Sequence, residues 1–303
     1  MKYSLIRISI LFLILGVSSC KNDTEKTDSG KSEKQFKLLK NKISQNLNIS
    51  FLLDLSDRIN PKKYPNNAME YYLRDVAYIK SVSEAFDAHL RGKKVRAMDD
   101  KIQLYFDPEP KNQNINKISN NLRFNVNRTN VTLETLDEIK DNYASKPIKI
   151  YDLAISDNKY VGSDTWRFFK TKVKDYCIEP NYRNILVVLT DGYIYHKDSK
   201  MKEDNLTTYL TPQVIRSFNL DNKDWQDTMV SQGFGFIPAS EDLSNLEILV
   251  LGINPDKKNP YEEEIIMDYW SNWFDAMKVS KYEIKTAGLP TNMDNIIKEF
   301  ILN

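Results

Sequence analysis

Two aspartates close two of the most apolar runs in the chain, Ile49–Asp54 and Asn184–Asp191. Asp54 is followed by Leu55, Ser56, Asp57 and Arg58, and Asp191 by Gly192. A third polar segment, Gly162, Ser163, Asp164 and Thr165, lies between them in the chain. If the two runs are neighbouring strands, their ends lie about 4.8 Å apart. Two carboxylates at that spacing repel in a partly dry site unless a proton or a cation intervenes. A divalent ion held by oxygen at about 2.1 Å, Mg²⁺ above all, is the natural solution.

Other chemistries are poorly served. Two histidines and two cysteines in 303 residues cannot assemble the Cys-x-x-Cys or His-Glu-x-x-His spacings of zinc sites. A Gly-x-Ser-x-Gly elbow and a P-loop are both missing, so a hydrolase would lack an obvious nucleophile or base. Nine glycines are few for a nucleotide cradle, and no nucleotide is expected. With 43 basic and 42 acidic side chains the formal charge is +1, which gives no general attraction to nucleic acid.

The elements that must position these residues alternate. The runs Ile49–Asp54, Asn184–Asp191 and Leu246–Ile253 are near-continuously apolar, as strands covered on both faces are. Apolar residues recur at helical steps over 67–90, and helices are also expected over 133–143, 165–176, 262–277 and 293–301. Strands are expected over 102–106 and 122–126, joined by a polar loop with Pro108 and Pro110, and over 282–285. The expectation is an α/β domain, doubly wound, with a mostly parallel sheet and helices on both faces. It would span 47–303, with a poorly patterned insertion at about 197–244 containing a short helix near 223–230. In such sheets ligands sit beyond the carboxyl ends of strands, where the strand order reverses. The cluster Tyr269, Trp270, Trp273 and Phe274 reads as core, and His196 as a surface residue at the site rim.

The N-terminus has its own logic. Lys2 and Arg7 precede an apolar run from Ile8 to Val17, too short to cross about 30 Å of hydrocarbon. Val17, Ser18, Ser19 and Cys20 resemble the lipobox of bacterial lipoproteins, which implies a signal peptide over 1–19 and lipidation of Cys20. The polar stretch to residue 46 reads as a tether with a short helix near 36–43. With Cys20 used, Cys177 is left as a buried free thiol.

Phe51–Arg58, Gly162–Thr165 and Leu186–Gly192 together resemble three segments of von Willebrand factor type A (vWA) domains, in the family's order. The resemblance covers about 46–303. It implies a metal-ion-dependent adhesion site in which Asp54 and Ser56 match two first-loop ligands and Asp191 the distant aspartate. Ser163 matches the threonine ligand, with Thr165 as the alternative, and Asp57, Arg58 and Gly192 lie beside the site. Arg58 departs from the family pattern, standing where a second serine is expected; a guanidinium cannot ligate a cation. It could neutralise Asp54 or Asp191 in place of a metal, or point to solvent. The resemblance implies a protein or acidic ligand bound without catalysis; the lipobox-like N-terminus adds the expectation of an exported lipoprotein anchored to a bacterial membrane, the outer membrane or cell surface foremost. A metal-free scaffold of an envelope assembly and a Mg²⁺-dependent hydrolase are the competing readings.

Overall fold

The computed structural model describes residues 45–160 and 162–303. The signal peptide expected over 1–19, Cys20 and the short helix expected near 36–43 lie outside the described residues.

In chain order the elements are β1 (Asn46–Leu53), α1 (Tyr71–Gly92), β2 (Asp99–Tyr105), α2 (Gln113–Asn120), β3 (Phe124–Asn127) and α3 (Leu133–Asp157). They continue with α4 (Thr165–Thr171), α5 (Val173–Cys177), β4 (Tyr182–Leu189), β5 (Lys202–Glu203), β6 (Leu206–Thr207) and α6 (Pro212–Ser217). The chain ends with α7 (Trp225–Gln232), β7 (Gly235–Phe236), β8 (Leu246–Ile253), α8 (Glu262–Ala276), β9 (Lys281–Thr286) and α9 (Pro290–Leu302).

Six strands form one mixed sheet in the order β3-β2-β1-β4-β8-β9. Five run parallel, and β3 is antiparallel to β2 at one edge. Because side chains alternate across a strand, each apolar run feeds two cores. Ile49, Phe51, Leu53, Ile185, Val187 and Leu189 pack with α1, α3 and α9, whereas Leu52, Leu186 and Val188 pack with α4 and α8. Helices therefore flank the sheet on both sides, which is why these strands can be apolar throughout.

Several boundaries differ from the sequence expectation. The loop with Pro108 and Pro110 contains α2, started by Asn112, whose side chain accepts a hydrogen bond from the Asn114 amide. The helix expected to stop at 143 continues to Asp157 through Pro147, because Ile150 and Tyr151 extend its buried face. Packing outweighs the hydrogen bond that proline cannot donate. The helix expected over 165–176 breaks at Lys172 into α4 and α5. The poorly patterned insertion packs onto the domain: Leu210, Ile215, Trp225, Met229 and Phe236 all join the second core, beside a small sheet of β5, β6 and β7. Its apolar residues are spread over short elements, so no single period shows in the sequence.

At the N-terminal end of β1 a dry polar knot fastens the sheet. Asp100 of β2 accepts from the Leu47 amide at 2.7 Å and from Lys93 at 2.7 Å, with His89 at 3.1 Å. Lys93 also donates to Asn46 at 2.9 Å. Cys177 is a free thiol within the second core, as expected. Among the described residues, no helix is long and apolar enough to cross a membrane.

Candidate functional site

β1 and β4 are parallel neighbours in the register Leu53 to Leu189, so their carboxyl ends finish side by side. The strand order reverses between them, since β1 leads outward through β2 and β4 leads outward through β8. The turns that follow carry Asp54 and Asp191, and Gly162 and Ser163 approach from a third direction before α4. Asp54, Ser56, Asp57, Arg58, Ser163 and Asp191 line one open cleft of about 720 Å³. Thr165 does not line it: this residue is buried behind Ser163, with the two hydroxyls 3.2 Å apart.

Each member is held by its own turn. The Asp54 amide donates to the Leu189 carbonyl at 3.0 Å, which continues the strand pairing past β1. One Asp54 oxygen accepts from the Ser56 amide at 2.8 Å, and the other from the Thr190 hydroxyl at 3.2 Å. Asp191 Oδ1 accepts from the Tyr193 amide at 3.1 Å. Gly192 makes this turn possible. Its φ is +98°, and an added Cβ would lie 2.6 Å from Ile266 Cγ2 and 2.8 Å from Ile253 Cδ1. The Gly192 carbonyl accepts from the Trp270 indole at 2.8 Å. The aromatic cluster is thus core, and one of its members steadies the site.

Arg58 follows neither expected course alone. It is 5% exposed, so it does not point to solvent. Its Nη2 donates to Asp75 Oδ2 at 2.7 Å and to the Leu189 carbonyl at 2.9 Å, while Nε stands 3.4 Å from Asp54 Oδ2. Asp75, 1% exposed on α1, also accepts from the Tyr151 hydroxyl of α3 at 3.0 Å. Burial raises the Asp75 carboxyl above the usual range, against the pull of Arg58 and Tyr151.

The carboxylates of Asp54, Asp75 and Asp191 share the buried Arg58 guanidinium, which Asp75 engages most closely. Lys63 and Lys257 also line the cleft, Lys63 paired with Asp57. Burial first, and the Asp54 carboxylate next, raise the pKa of Asp191 to about 7 against Arg58 and the Tyr193 amide. A divalent cation would relieve the repulsion between Asp54 and Asp191. Two carboxylates and two hydroxyls, all hard oxygen donors, fit Mg²⁺ or Mn²⁺ completed by water. Among the described residues no group of three His, Cys, Asp or Glu side chains is arranged to hold a metal, so the serines would have to contribute.

His196 corrects the surface assignment. It is 9% exposed, with Nδ1 3.3 Å from the Asp164 carboxylate. The Ser163–Tyr195 bridge draws the following residue inward to a fully buried acid. Asp164 itself caps α4, accepting from the Arg167 amide at 3.0 Å. Asp75 and Thr190 are the site residues that sequence reasoning missed. Asp75 left a signal: with Ile79, Val82 and Phe86 it falls on the buried stripe of α1, where a carboxylate requires a partner.

No protein-family model matches this chain, and no curated protein matches it either. Among solved structures it is similar to a D319A mutant of the PilB minor pilin from Streptococcus sanguinis, at a TM-score of 0.42 and 13% identity. That match covers 85% of this chain and 62% of the pilin chain, so this chain spans less than two thirds of that protein.

Proposed function

We propose that residues 46–303 form a doubly wound, vWA-type domain that binds a carboxylate-bearing protein partner through a divalent cation. Asp54, Ser56, Ser163 and Asp191 would hold the ion, and bound Mg²⁺ would supply an open coordination position for the partner's carboxylate. The observation that carries this reading is the meeting of three loops, distant in sequence, as one oxygen-lined cleft at the reversal of the strand order. The chain's own part is binding and orientation. The Ser56 amide and the Thr190 hydroxyl fix Asp54, the Tyr193 amide fixes Asp191, and Trp270 holds the turn between strand and cleft. The reading is binding rather than catalysis, because the family resemblance implies an open coordination position that takes up a partner's carboxylate.

With the full chain purified in detergent, millimolar Mg²⁺ or Mn²⁺ is expected to raise the melting temperature. Asp54→Ala should abolish that shift while leaving the far-ultraviolet circular dichroism unchanged. An undiminished shift in the variant would remove the cation from these residues.

The domain's place in the cell follows from the N-terminus. The lipobox-like Val17–Cys20 supports export and lipid anchoring at Cys20, in the outer membrane or at the cell surface of a bacterium. Several acyl chains there would hold the protein firmly, at about 0.8 kcal/mol per buried CH₂. Cys20→Ser is expected to abolish palmitate incorporation; labelling that persists in the variant would refute the anchor.

The second reading, a metal-free scaffold, draws on Arg58, whose Nε lies near Asp54. It predicts no Mg²⁺ shift in the wild-type chain.

A further inference from the structure

On the reading that the cleft holds a divalent cation, we infer that Asp75 is a positioning residue that keeps the Arg58 guanidinium out of the ion's place. Arg58 enters the first loop where the vWA pattern has a hydroxyl. An unrestrained guanidinium beside Asp54 and Asp191 would compete with a metal for both carboxylates. The structure draws the arginine the other way. Its Nη2 is bound by Asp75 at 2.7 Å and by the Leu189 carbonyl at 2.9 Å, both partners lying in the protein interior. Toward Asp54 the arginine makes an ion pair through Nε at 3.4 Å, without a hydrogen bond.

The latch is built from several elements. Tyr151 of α3 holds the same Asp75 oxygen, Oδ2, at 3.0 Å. Gly252 in β8, whose φ is +104°, lets the neighbouring Thr190 backbone pass close by: a Cβ there would stand 2.9 Å from the Thr190 carbonyl. A desolvated ion pair is a weak source of stability, and well-packed apolar residues often do as well. Placement of the arginine gives the pair a purpose that stability does not. Asp75 touches no ion and no partner in this scheme; it acts through Arg58.

The test is Mn²⁺ binding measured calorimetrically on the full chain in detergent, for wild type, Asp75→Asn and the double variant Arg58→Ser/Asp75→Asn. Freed from Asp75, the arginine should turn to Asp54 and Asp191, and Asp75→Asn should bind Mn²⁺ at least about tenfold more weakly, given the strength of charge interactions at a few ångströms. Removing both charges should restore the wild-type affinity or exceed it. A merely structural role for Asp75 would not be rescued by deleting its partner. Wild-type affinity in folded Asp75→Asn would overturn the inference. Should Asp75→Asn fail to fold, the double variant decides, and its failure to bind Mn²⁺ would overturn the inference just as firmly. If wild type and both variants bind no Mn²⁺, the cation reading itself falls. If only the double variant binds, Arg58 already occupies the ion's place, and the latch is refuted.

Discussion

Asp100→Ala is expected to destabilise the domain by about 3–5 kcal/mol, because it strands a buried ammonium group without its counter-ion. Lys93 and Asp100 are both fully buried at the side chain, 2.7 Å apart. The loss reaches further than one pair. Asp100 also accepts from the Leu47 amide and from His89, so its removal frees the start of β1 and the end of α1 together. β1 is the strand that carries Asp54 to the cleft. Urea titration should show the loss as a lower midpoint. The double replacement Lys93→Met/Asp100→Leu, which removes both charges, should recover much of it. A drop below about 1 kcal/mol in Asp100→Ala would mean that the knot is far wetter than its burial implies.

The same group sets a pH dependence. Burial alone would raise the Asp100 carboxyl, but hydrogen bonds from His89, the Leu47 amide and Lys93 hold it below the usual range. A depressed pKa in the folded state means that its contribution is complete above the unfolded value of about 3.9 and disappears as the pH falls through the folded value. The urea midpoint of the wild-type chain should therefore decline on acidification below about pH 4 more steeply than that of Asp100→Asn.

Gly192→Ala is the second large effect, expected at about 2–5 kcal/mol from the backbone and packing costs together. At φ +98° any Cβ strains the backbone, and this one would also sit 2.6 Å from Ile266 and 2.8 Å from Ile253. A left-handed backbone costs an L-residue about 1–2 kcal/mol. Overpacking a dense core costs about 1–3 kcal/mol more. Both isoleucines are fully packed in the second core, which limits their retreat. Since the Gly192 carbonyl holds Trp270, relief of the clash should also shift the neighbouring Asp191 and, on the proposed cation site, weaken Mn²⁺ binding. Unfolding by urea would measure the loss of stability; a Gly192→Ala chain as stable as wild type would show that this turn has slack.

The buried acids of the knot and of the cleft differ in kind. Asp100 is paired with an ammonium group that is itself fully buried, and both are held in a structural knot. Asp54 and Asp191 instead border an open cleft, where burial and their mutual repulsion raise the Asp191 carboxyl.

Much of this arrangement could be read before any fold was known. Three near-continuous apolar runs announce covered strands, because only a strand buried on both faces needs an apolar residue at every position. The aspartates at two of their ends could be placed together for the same reason: strand ends in an α/β sheet have few places to go. What tertiary structure alone decided was the fate of side chains whose partners lie far off. Arg58 turns away from solvent because Asp75, 17 residues on, waits on the buried face of α1. His196 lies inward beside Asp164, on the chain that bridges to Ser163. The insertion joins the core because its scattered apolar residues find α8, which no local period can foretell. Periodicity records which face of an element is buried; it does not record which charge will be found across the gap.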